Sequence, residues 1–266
     1  MALIRLHKLD TVEGAFSYEQ AKDLTRAGLG HRSYFRVELI DPQGRPHVLY
    51  MKRYHREPLR WRIKRLLTYG WGHSPASVEM QNVIAANRAD IPTIKHAYFA
   101  DERDLLGARR SYVLLSEVAG VALEHGFKAF LKRVGQRQDV LEDFTKRLAG
   151  LVGRLHKSGF VHRDLYTSHI YMDESDGRME LRLIDIARMF QPRWRAFRWR
   201  VKDLAQLRYS MPLEWVAPYW DMFMQHYLEV LGVKNGRQYC RAVIRKEAAM
   251  RRRLGDFPEA PKGRAE

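Results

Sequence analysis

Cysteine is almost missing from this chain: Cys240 is the only one in 266 residues. No disulfide can form within the chain, and the lone thiol reads as a small hydrophobe in a reducing cytoplasm. Long apolar runs are missing too. The opening stretch, residues 1–10, has no uninterrupted apolar core of the kind a secretion signal needs. The nearest approach to a span, Tyr112 to Leu123, is broken by Ser116 and Glu117. A soluble or peripheral protein is expected, not a spanning one. Acidic residues are scarce, 31 against 47 lysines and arginines, which leaves a net charge of +16. Such a field favours polyanionic partners such as nucleic acid, anionic lipid or phosphorylated glycan, and charge alone does not choose among them. Internal repeats and low-complexity tracts are absent.

Apolar residues make up 45% of the chain, enough for a packed core, and the length suits two lobes around a cleft. The first third reads as mostly strand. Phe35, Val37 and Leu39 alternate with polar neighbours, Asp41 to Gly44 supplies turn chemistry, and His47 to Lys52 forms a second extended run. Ser74 suits an N-cap and Pro75 the first helical position, with Val78, Asn82, Val83 and Ala86 near one face and Ile91-Pro92 ending the helix. Extended runs follow at Lys95–Ala100 and Arg110–Glu117. From Glu142 the pattern turns helical, with Phe144, Leu148, Leu151, Val152 and Leu155 at spacings of one, three or four, and Gly159 as a stop. Short strands at His169–Met172 and Leu181–Ile184 flank a turn at Glu174–Gly177, and helices resume after Arg193. The order predicts an α+β, two-lobed, protein-kinase-like fold, with a β-rich N-lobe carrying one main helix and a mostly helical C-lobe. Residues 1–117 are expected to form the nucleotide-binding lobe, 118–250 the catalytic and acceptor-binding lobe, and 251–266 a disordered basic tail.

Phosphoryl transfer needs a carboxylate to orient the attacking hydroxyl, metal ligands, a cation on the nucleotide phosphates and a partner for that cation. Each has a candidate in the matching chain order. Asp164, in Val161-His162-Arg163-Asp164-Leu165, stands where kinases place the catalytic aspartate, and Asp185 stands where they place the metal-binding one. An isolated Asp185 would read as a strand-end cap; its distance from Asp164 reverses that. His169, five residues after Asp164, either contacts the metal or serves as a hydrogen-bonding strut for the loop. Lys52 ends the run Val48-Leu49-Tyr50-Met51-Lys52, a match for the strand lysine that grips phosphates, with Glu79 as its ion-pair partner. Gly28, Gly30, Arg32 and Ser33 precede the second extended run as a phosphate-covering loop, but a serine replaces the third glycine and a plain turn reads nearly as well. Ser116 to Gly120, with Glu117 and Ala119, falls where an adenine-reading connection between lobes belongs.

These residues resemble the bacterial lipopolysaccharide kinases of the Kdo/WaaP type. His162-Arg163-Asp164-Leu165-Tyr166-Thr167-Ser168-His169-Ile170 is similar to that family's H-R-D-x-Y-x-x-H-F signature, and Leu183 to Arg188 resembles its I-D-L-x-R. Protein kinases carry Lys and Asn where this chain has Tyr166 and His169. The likeness extends to Gly30–Arg36 and to Glu79–Thr93, with Asp90 where the family commonly has glycine, and spans roughly residues 25 to 210. It implies ATP and Mg²⁺, a cytoplasmic location at the inner-membrane face, and a sugar hydroxyl of the lipopolysaccharide inner core as acceptor. Nucleic acid is not an expected partner on this reading. A reduced activation segment is implied as well, and no A-P-E follows Asp185.

Two segments mix arginine with aromatics. Arg193-Trp194-Arg195-Ala196-Phe197-Arg198-Trp199-Arg200 should border the acceptor side, with Arg193, Trp194, Arg195 and Arg198 as candidate anion or sugar contacts. Arg56 to Trp71, if helical, carries a stripe of Leu59, Ile63, Leu66 and Leu67 beside Arg60, Arg62, Lys64 and Arg65, a pattern of membrane-surface helices and equally of ordinary packed ones. The competing readings are a kinase of a small alcohol such as an aminoglycoside, which the arginine surplus disfavours, a protein kinase, which the missing A-P-E disfavours, and a silent kinase-shaped adaptor. Retention of Lys52, Glu79, Asp164 and Asp185 together speaks against the last.

Overall fold

The computed structural model describes residues 2–25, 30–56, 58–60, 62–63, 67, 73–104, 107–175 and 177–257. They form two compact units, one of residues 1–85 with 94–117 and one of 86–93 with 118–266.

The first unit is an antiparallel sheet of β1 (Ala21–Asp23), β2 (Arg32–Ile40), β3 (Pro46–Tyr54), β4 (Ala97–Asp104) and β5 (Gly107–Ser116), in the order β1-β2-β3-β5-β4. The β2–β3 hairpin turns where the sequence predicts. Asp41 Oδ1 accepts from the amides of Gln43 and Arg45, both at 2.9 Å, and Gly44 adopts φ +79°. The His47 imidazole and the Arg45 groups beside Asp41 hold its carboxyl well below the usual carboxylate range. Val37, Leu39, Met51, Tyr112 and Leu114 point to one face and are buried there.

What covers that face differs from expectation. Residues 2–17, read as part of an extended region, are two short helices, α1 (Ala2–Leu6) and α2 (Val12–Ser17). Thr11 Oγ1 caps α2 by accepting from Gly14 N at 3.0 Å. Leu9, Val12 and Ala15 then recur every third residue and pack on the sheet. The helices are too short for a periodic signal.

Helix α3 (Pro75–Arg88) starts as the sequence suggests. Ser77 N donates to Ser74 Oγ at 3.0 Å and Ser74 N to Ser77 Oγ at 2.9 Å, a reciprocal cap. It ends in a left-handed turn: Asp90 has φ +52°, and Ile91 N returns to Ala86 O at 3.0 Å. This explains the aspartate where glycine is common, because Asp tolerates that conformation better than most side chains.

In the second unit a small sheet, β6 (Val121–Ala122), β7 (Ile170–Asp173) and β8 (Glu180–Leu183), carries the loops of the site. Helices α4 (Leu123–Val134), α5 (Gln138–Lys157), α6 (Ala196–Ser210), α7 (Leu213–Leu231) and α8 (Arg237–Leu254) supply the bulk. α4 has no counterpart in the sequence reading. Its Phe127 and Phe130 join Phe144, Trp215, Trp220 and Phe223 in one aromatic core. α5 and α7 pack closely at Gly153, where a Cβ would meet Val230 Cγ1 at 2.6 Å. Gly159, with φ +83°, ends α5 and releases the chain into the catalytic loop.

The C-terminal boundary also needs correction. α8 runs through Arg251 to Leu254, and Phe257 packs against Tyr166 and Tyr209 with centroids 6.1 and 5.3 Å away, so residues 251–257 are ordered. Residues 258–266 lie outside the described residues, as does most of Arg56–Trp71, including Lys64, Arg65 and Leu66. Among the described residues no helix is long and apolar enough to cross a membrane.

Candidate active site

The N-lobe candidates sit on β3 and α3. Lys52 Nζ donates to Glu79 Oε1 at 2.7 Å, and Tyr54 OH donates to the other oxygen, Oε2, at 2.7 Å. The Glu79 side chain is fully buried and Lys52 is 17% exposed. A buried carboxylate needs compensation on both oxygens, and Lys52 and Tyr54 supply it. Burial, with the Glu79 charge beside it, pushes the Tyr54 phenol well above its usual range, so it stays a donor. β3 thus delivers two partners, at alternate positions, to one helix residue. Tyr54 was not singled out from sequence; its place two residues past Lys52 on one strand face was the available signal.

The phosphate-loop candidates are only partly described. Ala27, Gly28 and Leu29 fall outside the described residues. Gly30 takes φ +63° and is exposed with Arg32, whose guanidinium lies 5.8 Å from the Tyr54 ring. Ser33 Oγ is bonded to His55 Nε2 at 2.7 Å. At the connection, Glu117 N donates to Val48 O at 3.4 Å and Glu117 Oε1 accepts from Tyr50 OH at 3.4 Å. Ala119 is exposed, and Gly120, at φ +98°, lies so close to Met172 O that a Cβ would sit 2.2 Å from it.

In the C-lobe, one helix holds the catalytic loop. Asp203 on α6 is fully buried and accepts from His162 N at 2.7 Å and from Arg163 N at 2.9 Å. Gln206 Oε1 accepts from Leu165 N at 3.4 Å, and Ser210 Oγ accepts from Thr167 N at 3.0 Å. Asp203, Gln206 and Ser210 are spaced i, i+3, i+7, so one stripe of α6 satisfies four loop amides. This restraint lets Arg163 take φ +75°, a conformation costly for a side-chain-bearing residue. Its guanidinium lies 5.5 Å from the ring centroids of both Phe190 and Trp199.

The chemistry-bearing groups then come together. Arg188 Nη1 donates to Asp164 Oδ2 at 2.7 Å. His169 Nδ1 lies 2.7 Å from the Asp164 carbonyl, which can only accept, so Nδ1 carries the proton. The other nitrogen, Nε2, lies 3.7 Å from Asp185 Oδ2 and carries the lone pair in the neutral imidazole. Strut and ligand were alternatives in the sequence; the Nδ1 contact is the strut. Asp185 itself adopts φ +52°. His162 donates from Nε2 to Ile184 O at 3.0 Å and stacks on His169 at 5.8 Å; burial pulls its pKa down, so it stays neutral. Lys202 Nζ donates to the Arg163 carbonyl; burial lowers its pKa, while the charges of Asp164 and Asp203 oppose that shift.

Arg188, Lys202, Asp203, Gln206 and Ser210 were assigned no role from sequence. Helix α6 also carries Arg198, Arg200, Lys202 and Arg208, so its polar residues gave no distinctive signal. The arginine–aromatic run divides: Arg193, Trp194, Arg195 and Arg198 are exposed, Trp194 at 85%, whereas Phe197 packs edge-on against Tyr239 and Trp199 against Phe190.

The model of the lipopolysaccharide kinase (Kdo/WaaP) family matches residues 36–227. A solved structure, WaaP in complex with acyl carrier protein, is similar with a TM-score of 0.62 and 23% identity, over 88% of this chain and 87% of that one. No curated protein matches the sequence. The structural likeness bears on fold, an antiparallel-sheet N-lobe with a helical C-lobe.

Proposed function

We propose that this chain, which belongs to the lipopolysaccharide kinase (Kdo/WaaP) family, transfers the γ-phosphoryl group of ATP to a hydroxyl of a heptose or Kdo sugar in the lipopolysaccharide inner core. Membership makes it a phosphotransferase with a sugar hydroxyl as acceptor; the nucleotide, the metal and the choice of sugar are the proposal.

The observation that carries it is the arrangement around Asp164 and His169. Asp164 accepts a hydrogen bond from the acceptor hydroxyl and turns an oxygen lone pair toward the phosphorus, while Arg188 fixes the carboxylate. Lys52, held by Glu79, neutralises phosphate charge, with Gly30, Arg32 and Ser33 flanking it; Glu117 and Ala119 present backbone groups to the base. The Asp185 carboxylate and His169 Nε2 would hold a divalent cation, and no third acidic, His or Cys group joins them among the described residues. When bound, Mg²⁺ supplies charge neutralisation at the transferred phosphoryl group.

Placement at the inner face of the bacterial inner membrane is part of the same reading. It draws support from exposed Trp194 and from Leu59, Ile63 and Leu67, exposed by 52, 48 and 82% at every fourth position among basic residues. The WaaP structure contains acyl carrier protein, and a net charge of +16 would suit an acidic partner here too.

The test is mass spectrometry of core oligosaccharide from cells carrying the wild-type chain or Asp164→Ala. Loss of one phosphoryl group in the variant is expected. An unchanged core, with the variant expressed, would sink the proposal.

A further inference from the structure

We propose that the C-lobe carries a second anion site, apart from the phosphotransfer residues, that binds a phosphomonoester or diphosphate group. A cavity of about 660 Å³ opens where the start of α6 meets the start of α8, lined by Phe197, Asn235, Arg237, Gln238, Arg241 and Arg245.

The three arginines recur at every fourth residue of α8, so they stand on one face at about 6 Å per step. All three are exposed, and none has an ion-pair partner among the described residues. The other end of the same helix is different: there Glu247 answers both Arg208 and Arg251. The unpaired row is also placed against the helix's own field. Arg237 is the first helical residue, the first turn has no acid, and Gly236 provides no side-chain cap. A cation in the first turn opposes the helix dipole, and like charges four apart repel one another as well. An arrangement that weakens its own helix, beside a cavity, reads as a site kept for a ligand that supplies the missing negative charge.

The ligand class follows from the donors. Three guanidinium forks suit phosphate oxygens, which they can engage two at a time. Asn235 and Gln238 add amide groups, and Phe197, edge-on to Tyr239 at 4.6 Å, gives an apolar wall that suits a sugar or glycerol carbon skeleton. The cavity is distinct from the catalytic loop. On α6 the residues that touch that loop or its arginine are Trp199, Lys202, Asp203, Gln206 and Ser210. Phe197, two residues before Trp199, turns to nearly the opposite side of the helix. Two sources share the chemistry, a phosphorylated glycan and an anionic lipid headgroup.

The experiment compares the full chain with Arg237→Gln/Arg241→Gln/Arg245→Gln. Calorimetric titration with pyrophosphate at fixed ionic strength is expected to show a class of site in the wild type that is lost, or weaker by about tenfold or more, in the variant. The melting temperature without anion should stay level or rise in the variant, since the removed charges oppose the helix. Sedimentation with phosphatidylglycerol vesicles, against phosphatidylcholine vesicles, separates the sources. Lost vesicle binding in the variant points to a lipid headgroup; retained vesicle binding with lost pyrophosphate binding points to a glycan-borne phosphate. Pyrophosphate binding equal in both proteins, the nucleotide site included, would overturn the proposal.

Discussion

The Asp164 carboxylate is held by the Arg188 guanidinium at 2.7 Å, across twenty-four residues of sequence. Arg188 is half exposed, so the bridge adds little to stability, of order 1 kcal/mol or less. Its effect should be on orientation. Arg188→Ala is expected to lower kcat by about tenfold with little change in melting temperature. Arg188→Lys, which keeps the charge but loses the planar fork, should fall between. A kcat that rises in Arg188→Ala would show instead that the bridge restrains Asp164 until the acceptor arrives.

Asp203 is a different case, because its carboxyl is buried and bonded to two loop amides and to His156 Nε2, the last at 3.3 Å. Asp203→Asn replaces one accepting oxygen by an NH₂ group facing an N–H donor, at an expected cost of about 2–4 kcal/mol. The chain divides into two units, so a single unfolding midpoint is a poor readout. Hydrogen exchange is better: the amides of His162 and Arg163 should lose protection while those of the β2–β3 hairpin keep theirs.

How much of this was legible follows from range. Local signals carried through: the Asp41–Gly44 turn, the Ser74 cap and the α5 periodicity all depend on neighbours within a few residues. The ladder from α6 joins residues about forty apart, and in a single sequence Gln206 and Ser210 look like ordinary polar helix positions. α1 and α2 are five and six residues long, shorter than a periodic pattern needs. Residues 251–257 misled for another reason: their Arg and Gly content reads as disorder, but the helix runs to Leu254 and Phe257 packs on Tyr166 and Tyr209.

Glu79 can be tested against Tyr54 and Lys52 separately. Tyr54→Phe removes one hydrogen bond to a buried carboxylate and should cost about 1.5–3 kcal/mol. Glu79→Gln keeps the volume but removes the charge that holds Lys52, and the KM for ATP should rise by about tenfold while the fold persists. An unchanged KM would remove Lys52 from the nucleotide site.

His169 makes a prediction about metal rather than rate alone. With Nδ1 committed to the Asp164 carbonyl, His169→Ala loses the strut and, on the proposed reading, a metal ligand. The Mg²⁺ concentration for half-maximal activity should rise by about 10–100-fold. His169→Asn, which offers an oxygen, should recover most of that. A lower kcat with an unaltered Mg²⁺ requirement would leave only the strut.

Phe257 links the end of the chain to the catalytic loop. Its ring stacks on Tyr166 at 6.1 Å with planes 19° apart and meets Tyr209 edge-on, while Tyr209 OH donates to Gly255 O at 2.9 Å and Arg251 pairs with Asp256. Tyr166 lies inside the loop, its N–H donating to Asp164 O and its carbonyl accepting from His169 N, both at 2.9 Å. Movement of Tyr166 therefore reaches the carbonyl that also fixes the His169 tautomer. A chain ending at Leu254 should keep its melting temperature within a few degrees, because Gly255–Phe257 covers little core, yet lose about fivefold or more in kcat through a looser loop. Phe257→Ala should reproduce the loss and Phe257→Tyr should rescue it, with KM for ATP unchanged throughout, since the nucleotide candidates lie in the other unit. Equal kcat in the full and shortened chains would reduce the aromatic stack to packing alone.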